Sequence, residues 1–147
     1  MTVAEKIEMI NRGEVNESFA TDKSENVKRC LADKGYYLDK LIDDESNVVR
    51  SIVASQGYGL DKLVRDKSGY VRMSVADYGY GLSLLINDPD INVRASVAEQ
   101  GYGLDKLCCD ESFYVRHKVM AWLNIHNITL DEYIKNCLLY TSDAADD

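Results

Sequence analysis

Five valines, Val27, Val49, Val71, Val93 and Val115, recur at intervals of 22 residues, and the positions around them recur in the same register. Each Val is followed by a base: Lys28, Arg50, Arg72, Arg94 or Arg116. Four residues after each Val stands Leu31, Val53, Val75, Val97 or Val119, followed by Ala32, Ala54, Ala76 or Ala98, with Met120 in the last copy. Gly35, Gly57, Gly79 and Gly101 come next, each followed by Tyr36, Tyr58, Tyr80 or Tyr102. Leu38/Leu41, Leu60/Leu63, Leu82/Leu85 and Leu104/Leu107 form a second apolar pair, and Asp22, Asp44, Asp66, Asp88 and Asp110 close the units. A period of this length signals one supersecondary unit that buries its apolar face only by stacking on its neighbours.

The columns read as helices. Ser24, Ser46, Ser68, Asp90 and Ser112 precede the valines by three residues and are N-capping types. Val, the residue four on and the Ala beside it share one helical face. The Gly column ends that helix with a left-handed cap after about three turns. Leu-x-x-Leu then packs one side of a short second helix, α or 3₁₀. Alternating β-type patterning is lacking, so the expected class is all-α, a solenoid of 22-residue two-helix repeats. Residues 1–26 hold a degenerate capping copy, with Met9, Ile10, Gly13, Phe19 and Asp22 in the expected columns. Residues 27–136 hold five tandem repeats, the last atypical because Leu123 replaces Gly.

Composition narrows the function classes. With 17 Lys+Arg against 25 Asp+Glu the formal charge is −8, so a basic nucleic-acid footprint is not expected. No apolar run reaches membrane-helix length, and the acidic, amphipathic N-terminal stretch lacks the plan of a secretory signal, so no membrane and a cytoplasmic location are expected. Cys30, Cys108, Cys109 and Cys137 fit neither a disulfide framework nor a paired zinc motif. Cys108, Cys109, His117 and His126 likewise match no metal-ligand spacing, and Cys108 shares a column with Ile42, Val64 and Ile86; no metal and no cofactor are expected. Residues 137–147, CLLYTSDAADD, break the columns and resemble the in-frame translation of a transposon-end sequencing adapter. They are read as an artefact or a disordered tail; without them the charge is −5, since three of their residues are Asp.

Asp followed by Val five on and Arg six on, as in Asp66, Val71, Arg72 and in Asp88, Val93, Arg94, resembles the signature of HEAT-like helical repeats. The string DPDINVRASVAEQGYGLDKLCCD is still more similar to the leucine-rich repeat variant, a relative with a short unit. The resemblance covers about residues 22–136. It implies a right-handed superhelix in which Asp44, Arg50, Asp66, Arg72, Asp88, Arg94, Asp110 and Arg116 pair from one repeat to the next. The prolines that often separate the variant family's helices are lacking here, and so is the cysteine-rich iron–sulfur segment some members carry: residues 1–29 contain no Cys.

Three functions follow for consideration. A non-enzymatic scaffold that binds a protein or peptide suits the long concave surface of a solenoid. Its candidate contacts are Tyr36, Tyr58, Tyr80 and Tyr102, aligned by the repeat, and Leu84, an apolar residue where other copies carry Lys. The HEAT-like resemblance also covers enzymes, DNA glycosylases that act on alkylated bases and lyases that attach bilins. The glycosylase type needs a basic groove with aromatic clamps, whereas this chain is acidic and has one Trp, Trp122. The chain also fits a capping or regulatory segment of a larger protein. No catalytic residue is assigned, and the oligomeric state is left open.

Overall fold

The computed structural model describes residues 1–145, with side chains as far as Leu138. Among the described residues the chain is all-helical and has no strand. It divides into two compact units, Met1–Gly81 and the remainder from Leu82 on.

In the first unit α1 (Val3–Asn11) leads through a 3₁₀ segment (Glu17–Thr21) into α2 (Glu25–Asp33), α3 (Leu38–Leu41), α4 (Asn47–Ser55), α5 (Leu60–Leu63) and α6 (Gly69–Tyr78). Helix α2 packs on α1 and α4, and α4 on α6. The buried faces are the sequence columns: Val27, Leu31 and Ala32, then Val49, Val53 and Ala54, then Val71, Val75 and Ala76 have no exposed surface. Removing each Val or Leu side chain from water is worth about 1.5–3 kcal/mol, the main force holding neighbouring helices together.

The second unit holds α7 (Leu82–Leu85), α8 (Ile91–Glu99), α9 (Leu104–Leu107), α10 (Phe113–Ile125) and α11 (Leu130–Ala145). Helix α8 packs on α10, and α9 on α10 and α11. Val93, Val97, Ala98, Val115 and Val119 are fully buried. The short Leu-x-x-Leu segments α3, α5, α7 and α9 are each a single α-helical turn. The helices that open the repeats, α2, α4, α6 and α8, have nine or ten residues, about two and a half to three turns.

Helix α10 runs longer, to Ile125, because Leu123 occupies the column of the terminating Gly and packs inward at 3 % exposure. Asn127, at φ +51°, supplies the left-handed residue instead. Residues 137–145 continue α11, while Asp146 and Asp147 lie outside the described residues.

The Gly-Tyr-Gly turns explain an exception in the first copy. A Cβ on Gly59 would sit 2.1 Å from Ile42 Cδ1, and one on Gly103 2.2 Å from Ile86 Cδ1. The first copy has Tyr37 there, at φ +53°. The 22-residue register places Ala20 where Ile42 and Ile86 stand, and a methyl side chain leaves room for a Cβ. The residual cost is the left-handed backbone, about 1–2 kcal/mol.

Candidate functional site

The closing Asp of each repeat has two tasks. Its Oδ1 accepts the N–H of the residue two on: Ser24, Ser46, Ser68, Asp90 and Ser112 donate to Asp22, Asp44, Asp66, Asp88 and Asp110 at 2.8–2.9 Å. That turn aims the chain into the next helix. Ser46 and Asp90 also cap their helices by side chain, accepting from Val49 and Asn92, whereas Ser24, Ser68 and Ser112 make no such bond.

The second task is to hold a base. Arg50 Nε donates to Asp66 Oδ2 at 2.8 Å and Nη2 to Oδ1 at 3.0 Å; Arg94 grips Asp110 in the same way at 2.7 and 3.0 Å. Lys28 Nζ stands 2.7 Å from Asp44 Oδ2. In each case the base meets the Asp that closes its own repeat. Arg50, Arg72, Arg94 and Arg116 each also donate Nη1, at 2.7–2.8 Å, to the carbonyl of the Asp that closes the preceding repeat. Side chains of the Arg50–Asp66 and Arg94–Asp110 pairs are no more than 9 % exposed.

Such bidentate, charge-assisted bonds stabilise both partners' charged forms. Hydrogen bonding by Asp66 raises the Arg50 pKa, and Asp110 does the same for Arg94. Burial pushes the Asp66 carboxyl up, but the bonds from Arg50 and the Ser68 N–H outweigh it and hold it below the usual carboxylate range. The bonds from Arg94 hold Asp110 down against its burial. Lys6 bonds Asp22 at the same sequence separation, a further rung that the sequence columns did not single out.

The tyrosines are placed by the helix ends. Gly35 and Gly57 donate to the carbonyls of Ala32 and Ala54, while Tyr36 and Tyr58 donate to Leu31 and Val53. Gly79/Tyr80 and Gly101/Tyr102 repeat both bonds. This is the Schellman closure, in which a left-handed Gly turns the next residue off the helix axis. Tyr58, Tyr80 and Tyr102 are 40–41 % exposed, and Tyr36 is half-buried, its hydroxyl facing Gly13.

Leu84, on α7, is 45 % exposed. Its counterparts Lys40, Lys62 and Lys106 reach back to Glu17, Asp43 and Asn87, so the variable second-helix surface is partly engaged within the fold.

Cys108 and Cys109 follow α9, His117 lies on α10 and His126 follows it, and the four do not gather at one point. Cys108 and Cys109 stand 3.6 Å apart, sulfur to sulfur, and burial followed by the neighbouring thiol pushes the Cys108 pKa up. Cys108 is half-buried. His126 stacks on Trp122 at 3.7 Å between ring centroids, and Tyr133 meets Trp122 edge-on. Among the described residues no three His, Cys, Asp or Glu side chains are grouped to hold a metal ion, and no helix is long and apolar enough to cross a membrane.

Comparison with protein-family models, with curated proteins and with solved structures gives no match.

Proposed function

We propose that the chain is a non-enzymatic repeat scaffold, a right-handed α-solenoid of the HEAT-like, leucine-rich-repeat-variant kind, whose tyrosine edge binds a protein or peptide. The observation that carries this reading is the exposure of Tyr58, Tyr80 and Tyr102 at one repeated backbone position, each fixed by a Schellman closure. A half-exposed Tyr on a rigid turn loses little freedom on binding and offers both a ring and a hydroxyl. The Arg–Asp and Lys–Asp pairs, with the Arg Nη1 bonds to the carbonyl of the preceding repeat's Asp, support the solenoid, because their geometry recurs with the sequence period. Their charges are spent on the fold, whereas Tyr58, Tyr80, Tyr102 and Leu84 are exposed. The acidic balance favours a polypeptide over a nucleic acid, and a cytoplasmic location agrees with four free cysteines.

The test uses a photoreactive amino acid placed at residue 58 to trap the partner in cells. Affinity is then measured for the purified partner with the parent chain and with Tyr58→Ala/Tyr80→Ala. Loss of at least about tenfold is expected for an interface centred on these rings. Unchanged affinity would remove the tyrosine edge from the interface.

A further inference from the structure

Helix α10 leaves open a face that the matching helices bury. Arg50, Ser51 and Ala54 of α4, and Arg94, Ala95 and Ala98 of α8, are no more than 8 % exposed. The register places Arg116, His117 and Met120 at those positions of α10. There His117 is exposed and Met120 is 55 % exposed.

The Arg116 guanidinium is held like its counterparts, with Nη1 donating to the carbonyls of Asp110 at 2.7 Å and Glu111 at 3.1 Å. In Arg50 and Arg94 the same anchoring turns the Nε–Nη2 edge onto an aspartate. Among the described residues no carboxylate meets that edge of Arg116. Glu132, which follows Asp110 by 22 residues but lies in the first turn of α11, caps that helix, accepting from Thr129 N and Oγ1. The Phe113 ring lies against the guanidinium at 5.8 Å. Beside it Cys108, Phe113, His117, Val119 and Met120 join Arg116 around a cleft of about 290 Å³.

We propose that this end of α10 is a docking site for an acidic peptide, which places a carboxylate in the Arg116 fork and an adjacent apolar side chain in the cleft. The two resident Arg–Asp pairs identify the chemistry of the fork. The Arg116 guanidinium supplies the complementary charge, since Lys118 is already paired with Glu99. In place of the small, buried Ser51 and Ala54 of α4, this face carries the larger, exposed His117 and Met120, which offer contact surface to a bound peptide.

The probe is a capped peptide with the sequence of residues 110–115, DESFYV, the segment whose aspartate fills the Arg94 fork. Titrated into the isotope-labelled full chain, it should shift the amide resonances of residues 113–120 with a Kd below about 1 mM. Its Asp→Asn form should bind at least about tenfold more weakly. Arg116→Gln should abolish binding while keeping a folded spectrum, and Arg116→Lys, which keeps the charge without the fork, should fall between. Equal binding of the Asn peptide, shifts mapping away from residues 113–120, or no shift at about 5 mM peptide would each overturn the proposal.

Discussion

Replacing Arg50 with Ala removes one side chain from four acceptors at once. Nε and Nη2 leave Asp66, and Nη1 leaves the carbonyls of Asp44 and Glu45 at 2.7 and 3.1 Å. Arg50 is 5 % exposed, so water reaches the vacated site poorly. The Asp66 carboxylate then keeps only the Ser68 N–H among these bonds. Orphaning a buried charge in this way costs about 3–5 kcal/mol. At about 2–4 °C per kcal/mol for a chain of this size, the melting temperature should fall by about 6–20 °C. The control is Lys62→Ala, which breaks the Lys62–Asp43 pair with side chains 54 and 71 % exposed and should cost less than about 1 kcal/mol. Thermal melts of both variants, followed by far-UV circular dichroism, decide the matter. Equal shifts would refute the claim that the buried rungs hold the repeats together.

Gly101→Ala should destabilise more than Gly35→Ala: both have φ above +70°, costing about 1–2 kcal/mol, but a Cβ at Gly101 meets the Trp122 ring at 2.4 Å and at Gly35 nothing nearer than 4.0 Å. Overpacking adds about 1–3 kcal/mol at Gly101 alone, which paired urea midpoints measure. Because the Asp66 and Asp110 pKa values are depressed in the fold, their contribution is complete above the unfolded value of 3.8 and is lost as pH falls through the lower folded values. The urea midpoint should therefore hold its value down to about pH 5 and drop steeply below about pH 4, and a decline confined to higher pH would contradict this. Arg116→Ala should cost markedly less stability than Arg94→Ala, since only backbone acceptors lose a bond; equal losses in urea melts would show that Arg116 has a structural partner after all.

The helices were legible because each rests on a column with one physical meaning. The Val and Ala positions face inward, and the Gly positions end the helix. The charged columns were legible as pairs but not in their detail. Arg50 has Asp44 six residues before it and Asp66 sixteen after, and the spacing alone does not say which it takes. It takes the backbone carbonyl of the first and the carboxylate of the second.

The Lys6–Asp22 rung was hidden because Glu5 stands where the five other copies carry Val. Tyr37 was hidden for a different reason. Its left-handed backbone is tolerated because of the short Ala20 of the preceding copy, a relation between columns rather than within one. The open face of α10 emerges only when the burial of Arg94, Ala95 and Ala98 is set beside the exposure of His117 and Met120.

The claim that the polar columns serve the fold, leaving the tyrosine edge and the end of α10 to partners, is tested most directly by a double-mutant cycle on Arg94 and Asp110. Unfolding free energies are measured for the parent, Arg94→Met, Asp110→Leu and the double variant. A buried bidentate pair predicts a coupling of about 2–3 kcal/mol, with the double variant more stable than the sum of the single losses allows. A coupling below about 0.5 kcal/mol would contradict the account.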